Sequence, residues 1–428
     1  MKRAEVFSIA LILIVLAASV ALLVSSQSNT LQNDVYVGVA FGGTTVEQAK
    51  ILIDRVKSYT NLFVLDCGLN PISSNQSAVE EISDYAVDAR LHIIVNLGTW
   101  TNQNDWAWKL AFFNNSRLRY GDMFLGAYYD DEPGGIPLDW NWPDYFTKNS
   151  SLFSGVSPLS LIPIHYKMQL AQITGQQPDN YTAEAAWFNQ LVSRNRGHTS
   201  LKQYNITTFT SDYALYWFDY LGGYDTLFTQ LGLNETSNTQ IESKNAYQST
   251  TNQQIAFSLL RGAATMQNKD WGAIVTWTYN KPPYLDSGQN VYNMMKNAYN
   301  QGAKYIMLFD YPYNVTNPDG TLNQYGVLKD WHFQALQTFW DKVLTHPPTS
   351  PHAEAALVLP KDYGWGMRSA NDWIWGFWGP DAKSPIIWNA TQTLLGQYGS
   401  RLDIIYDDPA FPIQGNYSKI YYWNQTLS

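Results

Sequence analysis

Strand-length apolar runs alternate with helix-period segments eight times between Asp34 and His346. No glycine-rich phosphate loop follows any of those runs, and polar and aromatic residues gather just after them. These three observations predict an α/β protein whose parallel strands close into a (β/α)8 barrel, the βα loops building its working face. An open doubly wound sheet is the competing architecture, and the missing phosphate loop argues against it. The predicted division is residues 1–33 for a hydrophobic leader and stalk, 34–346 for the barrel, and 347–428 for a small α/β region.

Each element has its own signal. Strand one is Val35–Phe41 and ends in Gly42-Gly43. Helix one opens with Thr44-x-x-Glu47, a capping box, and carries Val46, Ala49, Ile53 and Val56 at helical spacing. Strand two is Leu62–Asp66, and helix two covers roughly Ala78 to Ala89. Strand three is His92–Leu97, followed by an aromatic-rich helix near Trp106–Phe113. Strand four, Phe124–Tyr129, runs into Asp130-Asp131-Glu132-Pro133-Gly134-Gly135. A long excursion to about Asn205 follows, with Trp140, Trp142 and a helix near Ala183–Val192. Strands five and six are expected near Thr207–Tyr213 and Thr226–Leu231. Helix six is Gln253–Met266, strand seven Gly272–Trp277, helix seven Val291–Tyr299 and strand eight Tyr305–Phe309. Helix eight runs from about Val327 to Leu344, with Val327, Trp331, Ala335, Phe339 and Val343 on one side. After Pro347-Pro348 come a strand at Ala355–Leu359, a helix at Trp388–Tyr398, and strands at Leu402–Tyr406 and Lys419–Trp423. That is too few strands to stand alone, so this region is expected to pack on the barrel or to belong to something larger.

The bulk composition narrows the function classes. Charged residues make up 15% of the 428, the net charge is −9, and no basic stripe appears, so no nucleic-acid partner is expected. Low charge with 17 Trp and 29 Tyr suits a surface that meets polar, uncharged material. The single cysteine, Cys67, excludes an intrachain disulfide and reads as a buried small residue. The six histidines show no zinc-like spacing and no Gly-x-Ser-x-Gly occurs, so no metal or other cofactor is indicated, although an acidic loop admits calcium.

Lys2 and Arg3 precede an uncharged run from Val6 to Val24, close to the roughly 20 residues that span a bilayer. The expectation is an uncleaved N-terminal transmembrane anchor with its basic end inside, followed by a polar stalk from Ser25 to Asn33. A cleaved signal helix, giving a secreted protein, is the alternative. Asn-x-Ser/Thr occurs at Asn75, Asn114, Asn149, Asn180, Asn205, Asn234, Asn314, Asn389, Asn416 and Asn424, all beyond the anchor. That distribution suits a glycosylated extracellular face.

The acids at strand ends carry the chemistry. Asp130, Asp131 and Glu132 form the strongest cluster. Crowded carboxylates shift one another's proton affinity, so one neighbour serves as acid and another as base or stabiliser. With unbroken strand alternation, Asp130 and Glu132 share a side and Asp131 takes the other. The plain alternative is a solvated loop or a divalent-cation site. Asp66, Asp212 and Asp310 are candidates for a second carboxylate. Trp100, Trp277, Tyr279 and Tyr311 lie just after strands and are candidates for stacking on the apolar face of a sugar.

At this point the residues resemble a family. Trp271-Gly-Ala-Ile-Val-Thr-Trp277, Gly302-Ala-Lys-Tyr-Ile306 and the acidic strand-four loop resemble TIM-barrel glycoside hydrolases over about Asp34 to His346. The tail, from Ala356-Leu-Val-Leu-Pro360 through Asp362-Tyr363-Gly364 to Leu402-Asp-Ile-Ile-Tyr406, is similar to part of the flavodoxin-like, amidotransferase-like domain that follows the barrel in family-42 β-galactosidases. Retaining members of the large hydrolase clan carry Asn-Glu after strand four and Glu after strand seven. Here Asp131 stands at the Asn, and no Glu follows strand seven, which argues against double displacement. Asp131-Glu132-Pro133 looks like the Asp-Glu pair of family-123 hexosaminidases, and Asp130-x-Glu132 resembles the strand-four motif of family-18 chitinases. That likeness implies Glu132 as general acid, Asp131 or Asp130 as the carboxylate orienting a substrate acetamido group, and a carbohydrate partner. A non-catalytic glycan-binding or cell-envelope protein on the same barrel is the second reading.

Overall fold

Strands rich in branched residues and buried on both faces persist only in a sheet covered on both sides. Here that sheet closes on itself. In the computed structural model, β1 (Tyr36–Phe41), β2 (Leu62–Asp66), β3 (His92–Asn96), β4 (Phe124–Asp131), β5 (Thr208–Asp212), β6 (Thr226–Leu231), β7 (Asp270–Val275) and β8 (Tyr305–Asp310) pair in chain order. All pairs are parallel, and β8 returns to β1 from Tyr36↔Tyr305 to Phe41↔Asp310. The structure describes residues 35–68, 70–98, 103–131, 185, 196–212, 223–232, 250–279, 282–311, 326–365, 367, 370–372, 374, 380–413 and 415–426. The run Val6–Val24 and the helix expected at Ala183–Val192, Ala185 apart, lie outside them. No helix among the described residues is long and apolar enough to cross a membrane.

The crossovers are α1 (Val46–Val56), α2 (Gln76–Asp88), α3 (Gln103–Tyr120), α4 (Arg196–Gln203), α5 (Thr250–Gln267), α6 (Gly288–Asn300) and α7 (Asp330–Lys342). Between β5 and β6 no helix occurs among the described residues. Residues 213–222 of that connection lie outside them.

Local chemistry sets the boundaries. The N-cap of α1 is Thr45, whose hydroxyl accepts from Gln48 N at 3.2 Å, while Gln48 Oε1 accepts from Thr44 N at 3.1 Å. The expected cap at Thr44 therefore sits one residue later, and the returning bond from Gln48 goes to the N–H before the N-cap. Thr45-Val-Glu-Gln48 satisfies the same pattern, with Ala49, Leu52, Ile53 and Val56 buried. The eighth predicted helix begins at Asp330, not Val327, and the N–H groups of Val327 and Leu328 just before it donate to Asp310. Its buried face is His332, Phe333, Ala335, Leu336 and Phe339, and Trp331, expected on that face, is 50% exposed.

The barrel interior is filled by Ala40, Leu62, Val64, Ile94, Tyr128, Phe209, Phe228, Ile274, Tyr305 and Met307. Two inward glycines sit where a side chain would clash, Gly272 against Tyr305 and the Phe228 ring, and Gly38 against the backbone of β2. A Cβ on Gly272 would meet Tyr305 Cβ at 2.7 Å and Phe228 Cδ1 at 2.8 Å, and one on Gly38 would meet Leu62 O at 1.7 Å. Phe209 lies edge-on to Tyr305 at 5.3 Å and stacks with Phe228 at 5.6 Å.

Beyond the barrel, β9 (Ala355–Leu359), α8 (Ser384–Tyr398), β10 (Leu402–Tyr406) and β11 (Lys419–Tyr422) form a parallel sheet in the order β10-β9-β11. Every residue of β9 is buried. Leu357 and Leu359 belong to the main core with Ile387 and Leu394 of α8, while Ala356, Val358 and Ile405 pack with Met266 of α5. The join to the barrel is a buried ion pair, Arg261 Nε to Asp403 Oδ1 at 2.7 Å. Arg261 also donates to the carbonyls of Ser350, Ser400 and Leu402, and Tyr417 donates to Asp403 Oδ2.

Candidate active site

Alternation along each strand decides what reaches the C-terminal mouth. Val64 and Ile94 face the interior, so Asp66 and Asn96 follow on the same side. By the same count Ser211 follows Phe209, Gln230 follows Phe228, and Thr276 follows Ile274. The apolar plug is thus capped by a polar layer.

That layer is hydrogen-bonded. Asn96 Nδ2 donates to Asp66 Oδ1 at 2.7 Å, and Gly98 N donates to Asn96 Oδ1 at 2.8 Å. The second bond fixes which end of the amide faces the carboxylate. Across the mouth, Tyr128 Oη and Gln230 Nε2 both donate to Ser211 Oγ, at 2.6 and 2.8 Å. The amide of Asn70 donates to the Gly42 carbonyl, and the buried Lys109 donates to Leu97 O at 2.8 Å. These contacts tie down the loops leaving β1 and β3.

Strand β4 extends two residues past its expected end, to Asp131. Against β5, Tyr128 pairs with Phe209 and Asp131 with Ser211, three steps on one strand against two on the other. This is a bulge, a feature common beside active sites. It brings Asp131 into register with Ser211 of the polar layer. Glu132 and Trp100 lie outside the described residues.

At the exits of β7 and β8, Trp277 lies 5.4 Å from Tyr311 and 5.8 Å from Tyr284, ring centre to ring centre. Tyr279 is 40% exposed. The N–H groups of Thr278 and Tyr279 both donate to Tyr284 O, which closes the turn carrying these rings.

Asp310 has a different place. Tyr305, Met307 and Phe309 pack in the interior cluster, so Asp310 falls on the outer side with Ile306 and Leu308. It is 3% exposed, and its Oδ1 accepts from Leu328 N at 3.1 Å. Burial pushes its carboxyl up to about 8, against the opposing pull of the Leu328 and Val327 N–H groups. Asp212, 1% exposed, also lies on the outer side of its strand, with Thr208 and Thr210. Neither shares the inward layer with Asp66. Cys67 is buried beside Asn96 O, and burial lifts its thiol well above the ordinary range.

Sequence reasoning singled out Asp66, Trp277 and Tyr311 but passed over Asn96, Ser211 and Gln230. Their signal was available: each follows, two residues on, an inward apolar residue of its strand (Ile94, Phe209 and Phe228).

No family model matches the sequence, and no curated protein is similar to it. Among solved structures, the chain is similar to a β-galactosidase from the Antarctic haloarchaeon Halorubrum lacusprofundi. The TM-score is 0.56 at 11% identity, over 90% of this chain and 68% of that one. It is also similar to a β-galactosidase from the psychrophilic Marinomonas ef1, with a TM-score of 0.53 at 11% identity over 90% and 72% of the two chains. A third match is GH5_18 from Streptomyces cattleya, solved with GlcNAc, with a TM-score of 0.51 at 12% identity over 91% and 99%. At such identities the likeness is one of fold: these neighbours are glycoside hydrolases built on the same barrel.

Proposed function

We propose that this protein is an extracytoplasmic glycoside hydrolase acting on a polysaccharide or glycan, with its acid catalyst at the end of β4. The supporting observation is the bulged β4, whose C-terminal end is Asp131, in register with Ser211, immediately before Glu132 in sequence. Glu132 is the general acid, protonating the glycosidic oxygen as the bond to the anomeric carbon breaks. Asp131 or Asp130 holds the substrate acetamido group, whose oxygen attacks that carbon, so no enzyme nucleophile is required. Asp66, fixed by Asn96, accepts from sugar hydroxyls, and Trp277, Tyr279 and Tyr311 form the apolar platform. Trp100 adds a further ring to that subsite. Residues 347–428 correspond to a partial amidotransferase-like piece, a reading supported by the parallel order β10-β9-β11.

The N-terminal run anchors the chain in the membrane with the barrel outside. The exposure of Asn75, Asn205, Asn389, Asn416 and Asn424 on the surface supports a glycosylated, extracellular face. A non-catalytic carbohydrate-binding role is the second reading. It is favoured by β7, whose end at Val275 leads into Thr276-Trp277-Thr278 without a carboxylate.

Hydrolysis of a glycoside panel that includes N-acetylhexosaminides separates the two. The expected result is turnover that Glu132→Gln reduces at least 100-fold, within the range for a lost general acid, while sugar binding persists. Binding without turnover in the unaltered chain would leave the non-catalytic reading standing.

A further inference from the structure

The opposite end of the barrel is also open. Where the strands begin, a basin of about 920 Å³ lies between the loops that precede β4, β5, β6 and β7. This is the upper part of the size range of small-molecule sites. Its floor is aromatic: Tyr305 is 6% exposed and stacks on Tyr36 at 5.0 Å with 11° between planes. The rim carries exposed donors and acceptors, among them Arg117, Thr207 and Asn268.

The charges at this end are balanced. Asp225 is paired with Lys202 at 2.5 Å and accepts from Thr208 N, and Asp270 is paired with Lys304 at 2.7 Å. Arg117 and Asp122 line the same basin. Lys269 donates to Tyr224 O at 2.7 Å, and burial pushes its ammonium down to about 8. A phosphate or other polyanion would have to sit beside three carboxylates, and a dication beside two cationic side chains. An uncharged ring with one apolar face and a circle of hydroxyls meets neither obstacle. Its C–H face suits the tyrosine pair, and its hydroxyls suit the mixed rim of amide, hydroxyl and guanidinium groups.

We infer that the N-terminal mouth of the barrel is a second binding site, separate from the acidic C-terminal mouth, for a neutral carbohydrate or similar polyol. The apolar plug of Phe209, Phe228, Ile274 and Met307 lies between the two ends, so occupancy here does not depend on hydrolysis at the other.

Saturation-transfer NMR on the full chain in detergent, with glucose, galactose and N-acetylglucosamine as probes, tests this directly. Binding at this end is expected to persist in Trp277→Ala. It should weaken at least fivefold in Arg117→Met and in the pair Thr207→Val, Asn268→Gly, and inorganic phosphate should not displace it. Near-UV circular dichroism checks that each variant is folded; should Arg117→Met unfold, the Thr207 and Asn268 pair carries the test alone. Absence of transfer from all three sugars would overturn the proposal. So would transfer that Trp277→Ala abolishes and the rim variants leave unchanged, or displacement by phosphate.

Discussion

Two aspartates at strand ends, Asp66 and Asp310, show how one residue type takes opposite roles. Asp66 follows Val64 into the mouth and receives the Asn96 amide; Asp310 follows Leu308 outward and receives backbone N–H groups. The difference is one of parity along the strand, which sequence carries only once the strand ends are known to a single residue. Asp310 also makes stability depend on pH. Its folded carboxyl is pushed up to about 8, whereas an unfolded Asp titrates near 4, so between these values the folded state holds more protons. This contribution is full below about pH 4 and is lost as pH rises toward 8. Urea unfolding of the parent chain should lose stability across that window, by at most about 1.4 kcal/mol per pH unit from this group. Asp310→Asn keeps an acceptor for the two N–H groups and removes the proton, so its profile should be flatter. Parallel profiles for the two proteins would show that Asp310 does not titrate in this window.

At the scale of elements, local pattern foretold most of the barrel because most strands are continuous apolar runs and most helices carry a 3.6-residue stripe; β5, Thr208-Phe-Thr-Ser-Asp212, is an exception among the strands. What it missed depended on partners distant in sequence. The bulge in β4 is defined by its pairing with β5, and the N–H groups of Val327 and Leu328, just before α7, are bound by Asp310, 17 and 18 residues earlier. Glycines divide along the same line. Gly38 sits where a Cβ would lie 1.7 Å from a main-chain oxygen of β2, whereas Gly396, inside α8, has nothing within 4 Å. Gly396→Ala should raise the unfolding free energy by roughly 0.5–1 kcal/mol, since the helix gains a better former with no clash. Gly38→Ala should leave little folded protein, because backbone cannot swing aside as a side chain can. Thermal unfolding of the first and soluble yield of the second measure this contrast, and equal behaviour would contradict it.

For the whole molecule, the decisive contact is the one that joins barrel to tail. Arg261 on α5 and Asp403 on β10 are 142 residues apart in sequence, and both are almost wholly buried. The two residues lie in segments whose periodicity marks them only as helix and strand. Pairing the two charges in the interior offsets their desolvation, and removing one partner leaves the other uncompensated. Arg261→Ala should therefore cost about 3–5 kcal/mol, while a double replacement, Arg261→Met with Asp403→Leu, should recover most of that loss. Because α5 also belongs to the barrel wall, the loss should fall on both parts at once. Calorimetry of the parent should then show barrel and tail melting in one transition, and Arg261→Ala should lower that transition without splitting it. Two separate transitions in the parent would mean that the sheet of β9, β10 and β11 folds apart from the barrel. The Arg261 cluster would then serve only to hold two finished units together.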